Sequence, residues 1–183
     1  MSERALRADA RRNRDRVLAA ARQAFSEHGF AVPLDDIADA AGVGPGTVYR
    51  HFPTKEALFE AVSLVRVQEL AADARARAGA SDPGAAFSGF LDRVTEEADA
   101  KRDLPDAFAG AGAARVAEAV AEMHEALGVL LARAQEVGAV RRDVSVSDLI
   151  ALLKGLLYAV RTDPDPALRH RLLAVVRDGL QPK

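Results

Sequence analysis

Residues 34–59 read LDDIADAAGVGPGTVYRHFPTKEALF, and this stretch decides how the N-terminal third of the chain folds. It opens with a short apolar stripe at helical spacing, formed by Leu34, Ile37, Ala38 and Ala41. The stripe stops at Gly42, and Pro45 opens another helix at a position where its missing N–H group costs no hydrogen bond. The glycines around Val43 allow the tight bend of a helix-turn-helix.

The helix that begins at Pro45 has one inward and one outward side. Val48 and Phe52 are expected to face the core, and Pro53 ends the helix. The outward positions are small, polar or cationic: Gly46, Thr47, Tyr49, Arg50 and His51. Small residues at its start would let this helix enter a DNA groove closely, with its exposed N–H groups near phosphates or base edges. The alternative is an ordinary solvated helix face.

Further helices are expected on both sides of this stretch. Upstream, an apolar pattern predicts a first helix from Val17 to Phe30, stopped by Gly29 as a left-handed cap. Downstream, Thr54 can cap a fourth helix that runs toward Gly79. The chain starts with a basic segment, in which the acidic residues Glu3, Asp9 and Asp15 are outnumbered by Arg4, Arg7, Arg11, Arg12, Arg14, Arg16 and Arg22. It is either a solvated arm or an arm that seeks phosphates.

The stretch from Leu34 to Phe59 resembles the DNA-binding signature of tetracycline-repressor-like (TetR-family) regulators. The Gly-Val turn, the Thr-hydrophobic-Tyr-x-His-Phe helix and the Lys-Glu-x-Leu start of the next helix occur in the family's order and spacing. The resemblance covers about the first third of the chain. It implies a DNA-binding regulator that works as a homodimer.

The resemblance also implies which residues meet DNA. Gly46 and Thr47 would lie nearest to base edges or the adjacent phosphate, Tyr49 and His51 would clamp phosphates, and Lys55 would contact the backbone. Arg50 faces outward beside them and could reach either a guanine edge or a phosphate.

Two positions depart from the family pattern. Val32 or Pro33 stands where a capping Ser or Thr is common. Pro45, at the start of the recognition helix, replaces a polar or basic residue. We therefore expect phosphate attraction to depend more on the basic segment from Arg4 to Arg16.

Composition favours an all-α fold. The chain of 183 residues is 49% hydrophobic, rich in Ala, Leu, Val, Arg and Glu, and poor in strand-forming residues. It contains no cysteine, which excludes disulfides and thiolate zinc sites and fits a cytoplasmic protein. Its most apolar stretch, residues 149–160, is too short for a membrane span and is interrupted by Lys154. The net charge of −2 argues against a chain coated with nucleic acid, so any contact with DNA must be local.

The remaining chain predicts a larger helical domain. Start signals are Asp82 with Pro83, Ser145 with Asp148 as a capping box, and Asp165 with Pro166. A long helix is expected to end at Gly138, and a short one is expected near Phe108. We predict a DNA-binding domain over residues 1–60 and a regulatory and dimerisation domain over residues 61–183.

The last two helices are expected to supply a dimer interface. One is apolar almost all the way round, which indicates burial on two faces, one of them against a second copy. The predicted interface residues are Leu149, Leu152, Leu153, Leu156, Val160, Leu168, Leu172, Leu173 and Val176. A purely intramolecular core is the alternative.

The middle helices could surround a ligand, because family members commonly sense a small molecule there. The candidate wall residues are Phe87, Phe90, Leu91, Val94, Phe108, Met123, His124 and Leu127. Such a wall favours a hydrophobic ligand with few polar groups, although an apolar stripe of this kind is also what a plain core looks like.

No catalytic or metal site is predicted, and no cofactor. The four histidines are scattered, none follows a Glu by three residues, and no phosphate-cradling glycine loop occurs. The sequence thus favours a homodimeric repressor that binds a palindromic duplex operator and is released by a ligand. The alternatives are a helix-turn-helix regulator without a ligand, a helical-bundle enzyme, and an interaction module that has lost DNA binding.

Overall fold

The computed structural model describes residues 3–96, 112–163 and 165–182, and in these ranges it contains α-helices, one 3₁₀ turn and no strand. The helices, numbered in chain order, are α1 (Glu3–His28), α2 (Leu34–Ala41), α3 (Pro45–His51), α4 (Lys55–Ala78), α5 (Pro83–Glu96), α6 (Ala113–Glu136), α7 (Val146–Thr162) and α8 (Leu168–Leu180), with the 3₁₀ turn at Gly29–Ala31 after α1. The all-α prediction is confirmed.

Most helix ends follow the local signals in the sequence. The Thr54 hydroxyl accepts a hydrogen bond from the Ala57 N–H at 3.1 Å, and the Asp82 carboxylate accepts one from the Ala85 N–H at 2.9 Å. Ser145 and Asp148 form the expected capping box. The hydroxyl and the backbone N–H of Ser145 both donate hydrogen bonds to the Asp148 carboxylate, and these bonds lower the pKa of Asp148. Gly29 and Gly138 have positive φ angles of 67° and 74°, as expected for residues that end helices.

The predicted start of the first helix is wrong. α1 begins at Glu3 instead of near Val17, so the basic segment is the first part of a helix and not a separate arm. Ala, Arg and Glu are strong helix formers, and no Gly or Pro interrupts residues 3–28. Phe30, expected at the end of this helix, lies in the 3₁₀ turn instead.

The later predictions differ in smaller ways. α8 begins at Leu168, two residues after the Asp165–Pro166 signal, although the Asp165 carboxylate does accept a hydrogen bond from the Ala167 N–H at 2.8 Å. The short helix expected near Phe108 falls outside the described residues.

The chain divides into two compact units. The first contains the described residues up to Val65 together with residues 112–116, and the second contains residues 66–96 and the described residues from 117 onward. The first unit has its own core, composed of Val17, Ala21, Phe25, Val32, Ile37, Ala38, Ala41, Val48, Phe52, Leu58, Phe59 and Val62.

A buried carboxylate connects two distant segments of the first unit. Glu60 is only 6% exposed, and its Oε2 accepts a hydrogen bond from the backbone N–H of Gly112 at 2.8 Å. A Cβ on residue 112 would lie 2.5 Å from the same oxygen. A larger residue at this position would therefore displace the Glu60 carboxylate from its hydrogen bond.

The second unit is built on a separate hydrophobic core formed by α5 to α8 and the end of α4. Its largest fully buried side chains are Phe90, Leu91, Leu127, Leu130 and Leu149. Arg177 on α8 links α8 to α5. Its guanidinium lies 2.6 Å from the Asp92 carboxylate and donates a hydrogen bond to the Ser88 carbonyl oxygen at 3.0 Å.

Candidate nucleic-acid interface

The turn between α2 and α3 depends on a left-handed glycine. Gly42 has φ 62° and ψ 41°, and its N–H and that of Val43 donate to the carbonyl oxygens of Asp39 and Ala38, both at 3.0 Å. These bonds close the C-terminus of α2. The Gly42 carbonyl oxygen accepts a hydrogen bond at 2.8 Å from the Arg16 guanidinium on α1. The turn is thus fixed by hydrogen bonds to α2 and by the hydrogen bond from Arg16 of α1.

The start of α3 is set by Gly44 and Pro45. Gly44 is the N-cap in an extended conformation, and Pro45 occupies the first helical turn. The Gly44 carbonyl oxygen accepts a hydrogen bond from the Thr47 N–H at 2.8 Å. No side chain caps this end, Pro45 has no N–H group and the Thr47 N–H is already bonded, so the Gly46 N–H is the one left for a partner from outside.

Two inward side chains hold α3 on the first core. Val48 is completely buried, and Phe52, which caps the helix, is 3% exposed. The opposite side is presented to solvent: Tyr49 is 48% exposed, and Pro45, Gly46 and Arg50 are exposed as well. Thr47 and His51 are partly buried at the edges of this surface. The outward set proposed from the sequence therefore lies on one accessible side of a short, anchored helix.

Gly46 has no intramolecular reason to be glycine. A Cβ built on it would meet no atom within 4 Å, and its φ angle is not in the left-handed region. A glycine inside a helix is about 0.5–1 kcal/mol less stable than alanine. The missing side chain permits close approach of an external surface to this exposed position.

Lys55 begins α4 and is held by an aromatic ring. Its Nζ lies 5.0 Å from the centroid of Phe30. That ring stacks on Phe25 at 6.0 Å and meets Phe59 edge-on at 5.6 Å. A cation over an aromatic face keeps its charge while its side chain loses freedom. Lys55 is therefore positioned, and its charge is still able to act on an anion.

Arginines of α1 take part in this arrangement in ways that the sequence pattern did not reveal. Arg16 binds the Gly42 carbonyl oxygen, and the Arg14 guanidinium carbon lies 5.5 Å from the centroid of Phe52. The sequence shows the cluster of arginines. It does not show which of them support the turn and which face solvent.

The residues predicted to surround a ligand lie in the second core or beside it. Phe87, Phe90, Leu91 and Leu127 belong to this core, and Val94 packs against it. Met123 and His124 are partly buried on α6, where desolvation and then the charge of Lys154 lower the pKa of His124. Phe108 lies outside the described residues. The ligand site itself stays a prediction.

The predicted dimer residues separate into two groups. Five of them are buried in the second unit's own core: Leu149, Leu153, Leu156, Val160 and Leu173. Leu152 is 47% exposed, and Leu168, Leu172 and Val176 are partly buried. A groove of about 700 Å³ on α7 and α8 is lined by Asp148, Ala151, Leu152, Gly155, Leu156, Ala159, Leu172, Val175 and Val176. We name these nine residues the α7–α8 groove.

Two further kinds of feature are absent from the described ranges. Among residues 3–96, 112–163 and 165–182, no helix combines the length and apolar character that crossing a membrane requires. Within that same portion of the chain, no three His, Asp or Glu side chains are grouped so that they could hold a metal ion.

Comparison with known proteins agrees with this geometry. Residues 17–62 match the model of bacterial regulatory proteins of the tetR family, and residues 82–182 match that of the SbtR-like transcriptional regulator C-terminal domain. The chain is 30% identical to the HTH-type transcriptional regulator UidR of Escherichia coli K12, over 86% of this chain and 84% of UidR.

Solved structures extend the similarity over the whole fold. A TetR transcription regulatory protein from Mycobacterium vanbaalenii is 41% identical, with a TM-score of 0.74 over 96% of this chain and 99% of that one. The TetR transcriptional regulator SCO0520 from Streptomyces coelicolor is 34% identical, with a TM-score of 0.69 over 93% and 99%.

Replacing Gly46 with alanine should separate folding from binding. We expect the Gly46→Ala protein to be more stable by about 0.5–1 kcal/mol, because alanine is the better helix former. Its affinity for duplex DNA should fall roughly tenfold, a loss of about 1.4 kcal/mol, because the added methyl group holds α3 away from the groove. Chemical denaturation and a band shift measure the two effects.

Gly179→Ala is the matched control, since that helical glycine also has nothing within 4 Å of a built Cβ but lies on α8. It should raise stability and leave DNA affinity unchanged. Unaltered DNA binding by Gly46→Ala would contradict close approach at this position.

Proposed function

This chain belongs to the TetR family of transcriptional regulators, whose members bind DNA and dimerise, and we propose that it is a homodimeric repressor released from its operator by a small, mainly hydrophobic molecule. Residues 1–60 would bind DNA, and residues 61–183 would supply the dimer interface and the ligand site. The observation that carries the DNA-binding part is the short α3, anchored by Val48 and Phe52, with Gly46 open to the outside.

The proposed DNA contacts divide by chemistry. Thr47 and Gly46, with the open N–H group of Gly46, meet base edges or the adjacent phosphate, and Pro45 packs at the entrance of the groove. Tyr49, His51 and Lys55 hold phosphates, and Arg50 reaches a guanine edge or a phosphate. Phosphate contacts fix the position of the helix on the duplex, while base contacts supply the sequence preference.

Removing two proposed phosphate contacts tests the DNA-binding surface. The double variant Tyr49→Ala, Lys55→Ala should bind a DNA fragment from the region upstream of its own gene at least tenfold more weakly than the wild type. The reason is that the variant lacks one hydroxyl donor and one cation. Fluorescence anisotropy at fixed salt measures the change. The control is Lys154→Ala with Tyr158→Ala, which removes the same residue types from exposed positions on α7.

The control pair should bind as tightly as the wild type. Equal affinity of the Tyr49/Lys55 variant and the wild type for a mapped operator would remove α3 and the start of α4 from the interface. Failure of the wild type to prefer any upstream DNA would instead favour an interaction module.

A second copy of the chain is the proposed occupant of the α7–α8 groove. Eight of the nine residues that line the groove are apolar or glycine, and Asp148 at one end is charged. Val175 is 67% exposed and Leu152 47% exposed, so an apolar strip of two adjacent helices faces outward. Gly155 and the nearby alanines allow close helix approach. A twofold dimer of this kind would pair two α3 helices on the half-sites of a palindrome.

Charge placed in the groove should produce monomers. We expect Leu152→Glu with Val175→Glu to shift the protein from dimer to monomer at micromolar concentration, because two carboxylates per protomer would be buried without partners. Sedimentation velocity reads the mass directly. The control is Val129→Glu with Val137→Glu, which adds the same charge at two similarly exposed valines, one in α6 and one directly after it. The control protein should remain dimeric. A wild-type monomer, or a dimeric groove variant, would contradict this interface.

The proposed ligand acts through a shift between conformers. A molecule that binds more tightly when the two α3 helices are wrongly spaced weakens operator binding by that difference in affinity and no more. The supporting observations are the apolar group Phe87, Phe90, Leu91 and Leu127 in the second core and the partly buried His124 on α6, whose lowered pKa favours a neutral imidazole. This imidazole could anchor one polar group of an otherwise apolar ligand.

Three probes with one polar group each can test the ligand proposal: octanoate, benzoate and 1-naphthol. At least one should release the operator complex in a band shift, and His124→Ala should reduce its effect because the polar anchor is missing. Tyr158→Ala serves as the control. If none of the three alters operator affinity or the thermal unfolding temperature, the helix-turn-helix regulator without a ligand becomes the better description.

A further inference from the structure

The first part of α1 extends beyond the core of its unit. The first buried side chain of this helix among those described is Val17, fourteen positions after the helix begins, so about 20 Å of helix precedes it. No side chain from Arg7 to Arg16 is buried. Burial of apolar surface therefore does not account for the sequence of this extension.

One side of α1 changes from arginine to apolar along its length. Positions alternating by four and three residues lie on the same side of a helix, and here they are Arg7, Arg11, Arg14, Leu18, Ala21 and Phe25. Ala21 and Phe25 are in the first core, and Leu18 packs against it. From Leu18 onward, this side of α1 packs on the core. Before Leu18, the same side carries arginines instead. We name Arg7, Arg11 and Arg14 the arginine stripe.

Arg14 places this stripe beside the recognition helix. Its guanidinium carbon lies 5.5 Å from the centroid of Phe52, the residue that caps α3. The last turn of α3 carries Arg50 and His51. The arginine stripe therefore reaches the C-terminal end of α3 through Arg14, on the helix where the Arg50 side chain is exposed.

Two other arginines of the extension lie off the stripe and bind within the chain. Arg12 pairs with Asp9 three residues earlier, and Arg16 donates to the Gly42 carbonyl oxygen at 2.8 Å. The side chains of Arg7 and Arg11, on the stripe, are exposed, and Arg7 also interacts within the chain. The arginines of the basic segment thus lie on more than one side of α1.

We propose that the arginine stripe is a second DNA-binding surface, which contacts the phosphate backbone of the duplex beside the base pairs that α3 reads. This inference rests on the proposed function of α3. Arg7 and Arg14 are about 10 Å apart along the helix axis, comparable to three base-pair steps of about 3.4 Å. Arginine is suited to phosphate because its planar guanidinium donates two hydrogen bonds at once. Such contacts add affinity and strengthen salt dependence without adding sequence preference.

The test compares salt dependence in the full-length protein. Arg7→Gln with Arg11→Gln should reduce the slope of log affinity against log salt by about 0.9 for each phosphate that is no longer neutralised, or about 2 per bound protomer. The ratio of affinities for the operator and a mutated operator should not change. Glutamine preserves helix propensity, and circular dichroism verifies that α1 remains intact. Arg14 is left in place because it packs on Phe52.

Two matched controls test the face as well as the charge. Arg12→Gln with Arg142→Gln removes the same charge from a paired position of α1 and an exposed position before α7, and should retain the wild-type slope. Inserting one alanine between Arg12 and Asn13 of the Arg12→Gln protein keeps Arg7 and Arg11 but rotates both of them by about 100°, off the stripe. This insertion should reduce the slope as the double glutamine variant does.

The outcomes separate this inference from the proposed function. If the wild type binds its operator and the Arg7/Arg11 variant has the wild-type slope, the stripe does not contact DNA. An equally reduced slope in the Arg12/Arg142 control, or an unchanged slope after the insertion, would show general charge attraction and would also overturn the proposal. If the wild type shows no operator preference, the function assigned to α3 fails first.

Discussion

The anchoring of α3 by Val48 and Phe52 is the constraint on which the first unit depends. A helix of seven residues is too short to be stable alone, so its conformation comes from the core on which it packs. The positive φ of Gly42 turns the chain so that these two side chains point inward. Their burial leaves the opposite side of α3 accessible, and the proposed binding surface is therefore a consequence of how the core is packed.

Several charged side chains maintain that surface by binding within the unit. Arg16 holds the carbonyl oxygen of the turn, Arg14 covers Phe52, and Lys55 lies over Phe30. Each of these contacts orders a long cationic side chain and retains its positive charge. The side chains that support the fold around α3 are thus themselves cations.

In the second unit, α7 likewise has one side that is buried in the core and one side that is exposed. Leu149, Leu153 and Leu156 fill its own core, whereas Leu152 on the same helix remains half exposed next to Val175 of α8. Exposed apolar side chains are unfavourable in water, and this strip is the surface that we propose a second copy covers. The same helix thus fills the core of the second unit and supplies the proposed dimer contact.

The sequence by itself determined the helices and most of their ends, because caps act over a few residues. Gly42, Pro45, Thr54, Asp82 and the Ser145–Asp148 box are local signals, and the motif from Leu34 to Phe59 identified the family. The start of α1 was placed incorrectly because apolar periodicity is silent where a helix carries no core residue. Only the tertiary structure decided which arginines support the turn, that Glu60 binds the N–H of Gly112, and which side of α7 remains outside. These contacts join residues 26 and 52 positions apart, or select one side of a helix that is apolar all round, and no local pattern encodes such a choice.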